Sequence, residues 1–154
     1  MTKRLKGNLL VLAQFVLIGL LILVPSSGLN TGVFSYFLAA ISLTSLFIGF
    51  VILALSALAL GKSLTAHPMP SKNAELVTDG LYRFVKHPIY SGLILASFGL
   101  TIAGGFFPHA IFFLLLVILL NYKASFEEKL LASTYAGYAE YSRKTGRFIP
   151  RLKR

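Results

Sequence analysis

Charge, or its absence, divides this chain before any other pattern does. Residues 7–61 contain no Asp, Glu, Lys or Arg, and neither do residues 87–122. A helix needs roughly 20 apolar residues to cross a bilayer core, so each stretch has room for two crossings. "PSSGLNTG", Pro25 to Gly32, is a cluster of turn formers that splits the first stretch. It predicts one span over about residues 9–24 and a second over about 33–60, the latter long enough to tilt or to project beyond the bilayer. "GGFFPH", Gly104 to His109, splits the second stretch into spans over about 89–103 and 108–122. Each of these two is short, about 22 Å of helix at roughly 1.5 Å per residue, so flanking residues or local bilayer thinning must complete the crossing.

Beyond the last apolar run, "KASFEEKLLASTYAGYAEYSRKTGRF" keeps a helical period. Phe126, Leu130, Thr134, Gly137, Tyr138 and Tyr141 recur at three- and four-residue steps. The pattern predicts one helix that leaves the membrane near Asn121 and runs on to about Arg143. The connection from Lys62 to Pro88 carries "HPMP", "TDG" and another His-Pro step, which disfavour a continuous helix there. The expected fold class is an all-α integral membrane protein: about four transmembrane helices and a cytoplasmic C-terminal helix in one membrane domain, residues 1–154.

Composition agrees. The chain is 56% hydrophobic and 13% charged, whereas a soluble domain carries about a quarter charged residues. A net charge of +10 can indicate nucleic acid. Here the basic residues flank apolar spans, where they act as orientation signals and contacts to anionic headgroups. Membrane lipids are therefore the expected partners, and nucleic acid is not. Four crossings put every Lys, every Arg and all five acids on one side of the membrane, which the positive-inside rule makes cytoplasmic along with both termini. Three crossings would scatter those charges. "MTKRLKGN" and the apolar run after it resemble a signal peptide. That run, Leu9 to Val24, exceeds the roughly 7–15 residues of a signal-peptide core, so it is expected to stay as the first span.

The chain has no cysteine, which removes disulfides, thiolate chemistry and Cys-ligated metals. His67, His87 and His109 lack metal-ligand spacing, and His109 falls on the far side from the other two; no metal is expected. No Ser-His-Asp pattern, phosphate-binding loop or G-x-G-x-x-G occurs. Polar chemistry is left to residues 62–90 and 121–151. A hairpin of the third and fourth spans returns both its ends to one side, which predicts that His87 and Glu127–Glu128 are neighbours in space.

Each candidate also has an ordinary structural reading. His87 can be an interfacial residue before a proline that opens a helix, and Tyr82 and Tyr90 can be interfacial aromatics. The glutamates can form a solvated face with Lys123 and Lys129. They follow a span within about one and a half turns, however, where a buried carboxylate costs several kcal/mol unless paired. Gly92, Gly99, Gly104, Gly105 and the small residues of the second span are read as helix-packing surfaces.

Taken together, "AELVTDGLYRFVKHPIYSG" and "NYKASFEEKLLASTYAGYAEYSRKTGRFIPR" resemble the isoprenylcysteine carboxyl methyltransferase family, whose arrangement phospholipid methyltransferases share. The pattern is a Leu-Val-x-x-Gly-x-Tyr lead-in, Arg-His-Pro-x-Tyr-x-Gly, then a Glu-Glu pair, a Tyr-x-x-Tyr and a basic tail ending in proline. It covers about residues 75–151, the half expected to bind the cofactor. The resemblance implies an S-adenosylmethionine-dependent methyltransferase acting on a lipophilic acceptor at the cytoplasmic membrane face. That acceptor would be isoprenylcysteine carboxylate-like or phospholipid-like.

Carried over residue by residue, the resemblance assigns Lys86, His87, Tyr90, Glu127 and Glu128 to the cofactor. Leu81 and Tyr82 would offer an apolar slot to its adenine, and Lys144 and Arg147 in the basic tail become candidate catalytic residues. The cofactor's methionine end carries a carboxylate and an ammonium; His87 with Lys86 suits the first and one glutamate the second.

Departures from the pattern keep charge and lose geometry. Lys86 stands for an Arg and forfeits its bidentate fork, Lys123 stands for another, and Thr134-Tyr135 replaces a Phe-Gly. Lys144 matches the tail's Arg, with Arg147 three residues on. Two other readings stay open: an NADPH-dependent sterol reductase-like membrane enzyme, which usually has many more spans, and a non-catalytic lipid-binding membrane protein.

Overall fold

A computed structural model of the chain describes residues 2–26, 32–61 and 76–151. In order these form α1 (Lys3–Leu23), α2 (Val33–Leu60), a 3-10 turn (Gly80–Arg83), α3 (Pro88–Ala103), α4 (His109–Thr134) and α5 (Tyr138–Lys144). Among the described residues α1, α2 and α4 are long and apolar enough to cross a membrane, and α3 is a shorter apolar helix. Their outer faces expose Leu12, Phe15, Phe34, Phe47, Leu114 and Ile118, a surface suited to lipid contact. The protein is an all-α integral membrane protein. The "HPMP" segment and the start of the motif-bearing half lie outside the described residues, as does most of "PSSGLNTG".

Small residues decide how α2 meets α3. A Cβ on Gly49 would stand 2.7 Å from the Ala96 backbone nitrogen, one on Gly92 would stand 2.8 Å from the Gly49 carbonyl, and one on Gly99 2.7 Å from the Ser42 carbonyl. The two backbones therefore touch, and the Ser42 hydroxyl donates across the contact to the Gly99 carbonyl at 2.8 Å. Helices with no hydrophobic drive between them associate through such close approach. Gly104 and Gly105 do not share this role: they form the α3–α4 turn, where Gly105 takes φ +82° and Gly104 lies under the His109 ring.

One prediction is corrected. The helix leaving the membrane does not run on to Arg143. It ends at Thr134, Tyr135 is extended (φ −116°, ψ 117°), and a separate α5 begins after Gly137. The Ser133 and Thr134 hydroxyls both donate back to the Leu130 carbonyl, a competition that weakens a helix end, and Gly137 is a poor helix former. The break redirects the aromatic stripe. Tyr138 becomes buried, and the Tyr141 hydroxyl donates to the Tyr82 carbonyl at 2.7 Å. One core holds Leu21, Tyr90, Leu116, Leu120 and Ala124 with Phe148 against them, so α1, α3, α4 and the tail share it.

Candidate functional site

Local rules place His87. Pro88 opens α3, which its fixed φ favours, and the residue before a proline is driven away from helical geometry. His87 accordingly has φ −129°, and its side chain makes no capping bond. The ring faces α4 instead. After α5 the tail returns beside it: Lys86 N–H donates to the Gly146 carbonyl at 2.8 Å, His87 N–H to the Arg147 carbonyl at 3.1 Å, and Gly146 N–H to the Phe84 carbonyl at 3.3 Å. Any Cβ at Gly146 would overlap the Ile149 carbonyl, so this return requires glycine.

The α3–α4 hairpin then brings the two motifs together, as expected of its geometry. His87 Nδ1 lies 3.5 Å from Glu127 Oε2, and Nε2 lies 3.2 Å from Glu128 Oε1. A ring that meets a carboxylate at each nitrogen donates from both only as imidazolium. Burial alone would lower the His87 pKa, but the hydrogen bonds to Glu127 and Glu128 outweigh it and hold the pKa above its ordinary value.

The two glutamates are not equivalent. Glu128 receives Lys86 Nζ at 3.2 Å and a two-pronged contact from Arg147, Nε at 2.9 Å and Nη2 at 3.0 Å. Arg147 Nη1 reaches on to Asn121 Oδ1 at 2.7 Å and Ser125 Oγ at 3.1 Å, while Lys86 also donates to Ser142 Oγ at 3.1 Å. Glu127 takes the Tyr90 hydroxyl at 2.5 Å besides His87. Tyr90 stacks parallel to the His87 ring with centroids 5.3 Å apart, and Phe148 meets both rings edge-on. Glu128 takes four donors, three of them on Oε1; Glu127 takes two and keeps more acceptor capacity for another donor.

Tyr82 is buried beside this group. Burial, with the neighbouring Tyr141 and Glu127, pushes its phenol well up, and burial pushes Tyr141 up to about 12. Leu81 is half-buried in the 3-10 turn, which packs against α2. Lys144 lies apart: 72% exposed, it pairs with Glu140 at 2.6 Å on the outside of α5. The cluster thus gathers Lys86, His87, Tyr90, Glu127, Glu128 and Arg147. Lys123 makes no ion pair with either glutamate, although Glu127 is near enough to act on its charge. It is buried, donates to Gln14 Oε1 on α1 at 2.8 Å and sits 5.1 Å over the Tyr90 ring.

Sequence reasoning missed Asn121, Ser125, Ser142, Phe148 and Gln14. Asn121 and Ser125 precede Glu128 by two helical turns and one on the same face, so helical spacing could have found them. Gln14 is a lone polar side chain in an apolar run, a signal of its own in a span. Nothing in the pattern marks Phe148. Among the described residues no group of three or more His, Cys, Asp or Glu could hold a metal ion.

A family model for phospholipid methyltransferases matches residues 36–137, which contain most of α2, all of α3 and α4, the His-Pro motif and the Glu-Glu pair. The chain belongs to the phospholipid methyltransferase family. It is 33% identical over 82 residues to the protein-S-isoprenylcysteine O-methyltransferase of Schizosaccharomyces pombe, 52% of this chain and 35% of that protein. It is also 34% identical over 82 residues to the cobalt-zinc-cadmium resistance protein CzcN of Cupriavidus metallidurans, 53% of this chain and 38% of that protein. The chain spans little more than a third of the length of these curated relatives. The family match leaves out α1 and the tail that carries Arg147.

Proposed function

We propose that this family member is an S-adenosylmethionine-dependent methyltransferase whose acceptor is a lipophilic molecule reached from the membrane. The supporting observation is the unequal glutamate pair at the end of the α3–α4 hairpin. Glu128 is consumed by Lys86, His87 and Arg147, whereas Glu127 has spare acceptor capacity beside a cationic ring. Three cations face two carboxylates there, so the group as a whole favours one more anion. An amino acid end, with its ammonium and its carboxylate, fits that donor set. Glu127 takes the ammonium, and Lys86, with a hydrogen left over, takes the carboxylate beside the positive His87 ring, whose two N–H groups stay on the glutamates. Tyr82 and Leu81 flank the adenine.

Held by these residues, the cofactor would supply an electrophilic methyl carbon to the acceptor's lone pair, with its sulfur as the leaving group that would keep the bonding electron pair. The chain's residues contribute orientation. His87, locked between two carboxylates and stacked on Tyr90, fixes one end of the bound molecule, and restricting its approach to a line of attack removes entropy from the barrier. Arg147 holds Glu128, and so the tail, over the site. It acts as a clasp in this reading, and Lys144 takes no part in the transfer. The charged face at this end is cytoplasmic by the positive-inside rule, and the acceptor is isoprenylcysteine carboxylate-like or phospholipid-like.

Membranes containing the protein, given methyl-labelled S-adenosylmethionine and a lipid extract, are expected to transfer label into an organic-extractable product. Transfer should fall by two orders of magnitude or more in Glu127→Gln and persist in Lys144→Ala. Equal label with wild type and Glu127→Gln would contradict the proposal.

A further inference from the structure

α1 lies outside the family match, yet it reaches the site. Lys123 is only 4% exposed, and its ammonium contacts two electron-rich groups: the Gln14 carbonyl oxygen on α1 at 2.8 Å and the face of the Tyr90 ring at 5.1 Å. A buried ammonium without a partner is costly; Gln14 supplies the hydrogen-bond acceptor of Lys123, while Glu127 acts on its charge from beyond ion-pair distance. Tyr90 is the residue that donates to Glu127 and stacks on His87. A second cation sets the register of α1 on α4. Lys6 lies 4.9 Å over the Tyr122 ring and 5.1 Å over the Phe126 ring, the residues that flank Lys123 and Glu127 in sequence.

We propose that Gln14 is a positioning residue of the cofactor site. Through Lys123 it holds the Tyr90 ring against Glu127 and His87, which makes α1 part of the binding machinery as well as a membrane span. The proposal rests on the reading that this site binds S-adenosylmethionine. Two alternatives make different demands on Gln14. If it only packs, Leu of similar volume should serve at least as well as Glu, which would bury a charge. If it positions Lys123, Glu should serve well, because it keeps the acceptor oxygen and opposes the ammonium, and Leu should fail.

The test is equilibrium binding of S-adenosylmethionine to the full chain in lipid nanodiscs, with thermal unfolding as a check on folding. Gln14→Leu is expected to bind roughly tenfold more weakly, the loss of one hydrogen bond to a charged group, and Gln14→Glu within about threefold of wild type by the same comparison. The double variant Gln14→Leu with Lys123→Met replaces both partners by apolar groups, which restores packing without restoring the contact to Tyr90. It is expected to unfold near the wild-type temperature and still bind weakly. Folded Gln14→Leu or double variant with wild-type affinity overturns the proposal, as does Leu binding better than Glu. Wild-type protein that binds no S-adenosylmethionine overturns the cofactor reading itself, and this proposal with it.

Discussion

His87 concentrates the chemistry of the site in one ring. Each nitrogen meets a different carboxylate, so the protonated ring ties Glu127 and Glu128 together, and its pKa is raised above the ordinary 6.5. A raised folded-state pKa contributes stability that is fully present below the unfolded value and is lost as pH rises through the folded value. Wild type should therefore be most stabilised over His87→Gln on the acid side of pH 6.5, and the gap in unfolding temperature should close as pH is raised above it. A gap that widens with pH would mean that the ring is neutral in the fold. The glutamates should separate in the same assay. Glu128→Gln breaks the Arg147 clasp and should cost about 1–3 kcal/mol of stability. Glu127 meets His87 and Tyr90, so Glu127→Gln should cost less stability than Glu128→Gln and weaken S-adenosylmethionine binding at least tenfold. These differences were invisible in the sequence, where the two acids are adjacent and alike. The return of Arg147 from the tail, with Lys86 on Glu128 and Tyr90 on Glu127, distinguishes them.

At the scale of elements, the hairpin was legible because a charge-free stretch with a Gly-Gly turn has few alternatives. His87 followed from it, since Pro88 fixes where α3 begins. The break after Thr134 was not legible: Phe126, Leu130 and Thr134 keep the helical period right up to it, and the period resumes at Tyr138. What ends α4 there is backbone competition by Ser133 and Thr134. The α2–α3 contact was half legible. Gly92 and Gly99 were identifiable as packing residues, but that they oppose Gly49 and Ser42 required the structure. Gly99→Leu should force α2 and α3 apart and lower stability by about 1–3 kcal/mol or more. Gly19→Leu on α1, whose added Cβ would meet nothing within 4 Å, should not. Equal effects of the two in a thermal-unfolding series would remove the close-packing explanation.

The whole molecule is organised by its charge asymmetry. The four crossings we propose would leave the α3–α4 turn on the face opposite the site and both termini on the site's face, a topology that can be tested because the chain has no cysteine of its own. Single cysteines at Thr2 and Arg151 should react with an impermeant maleimide only from the cytoplasmic side, and one at Phe107, which is 70% exposed, only from the other. Phe107 reacting from the same side as Arg151 would mean that α3 does not cross. In this arrangement the apolar helices bring the two motif segments to one membrane face, and the tail, held by Arg147 and Gly146, covers the site. α1 adds Lys6 and Gln14 from beyond the family-matched region.

The most direct test of this account is equilibrium binding of S-adenosylmethionine and, separately, NADPH to purified wild type and His87→Ala. S-adenosylmethionine should bind wild type at micromolar concentration and bind His87→Ala at least tenfold more weakly, while NADPH binds neither. NADPH binding in its place, or S-adenosylmethionine binding that His87→Ala leaves intact, would contradict the assignment of this cluster as the cofactor site.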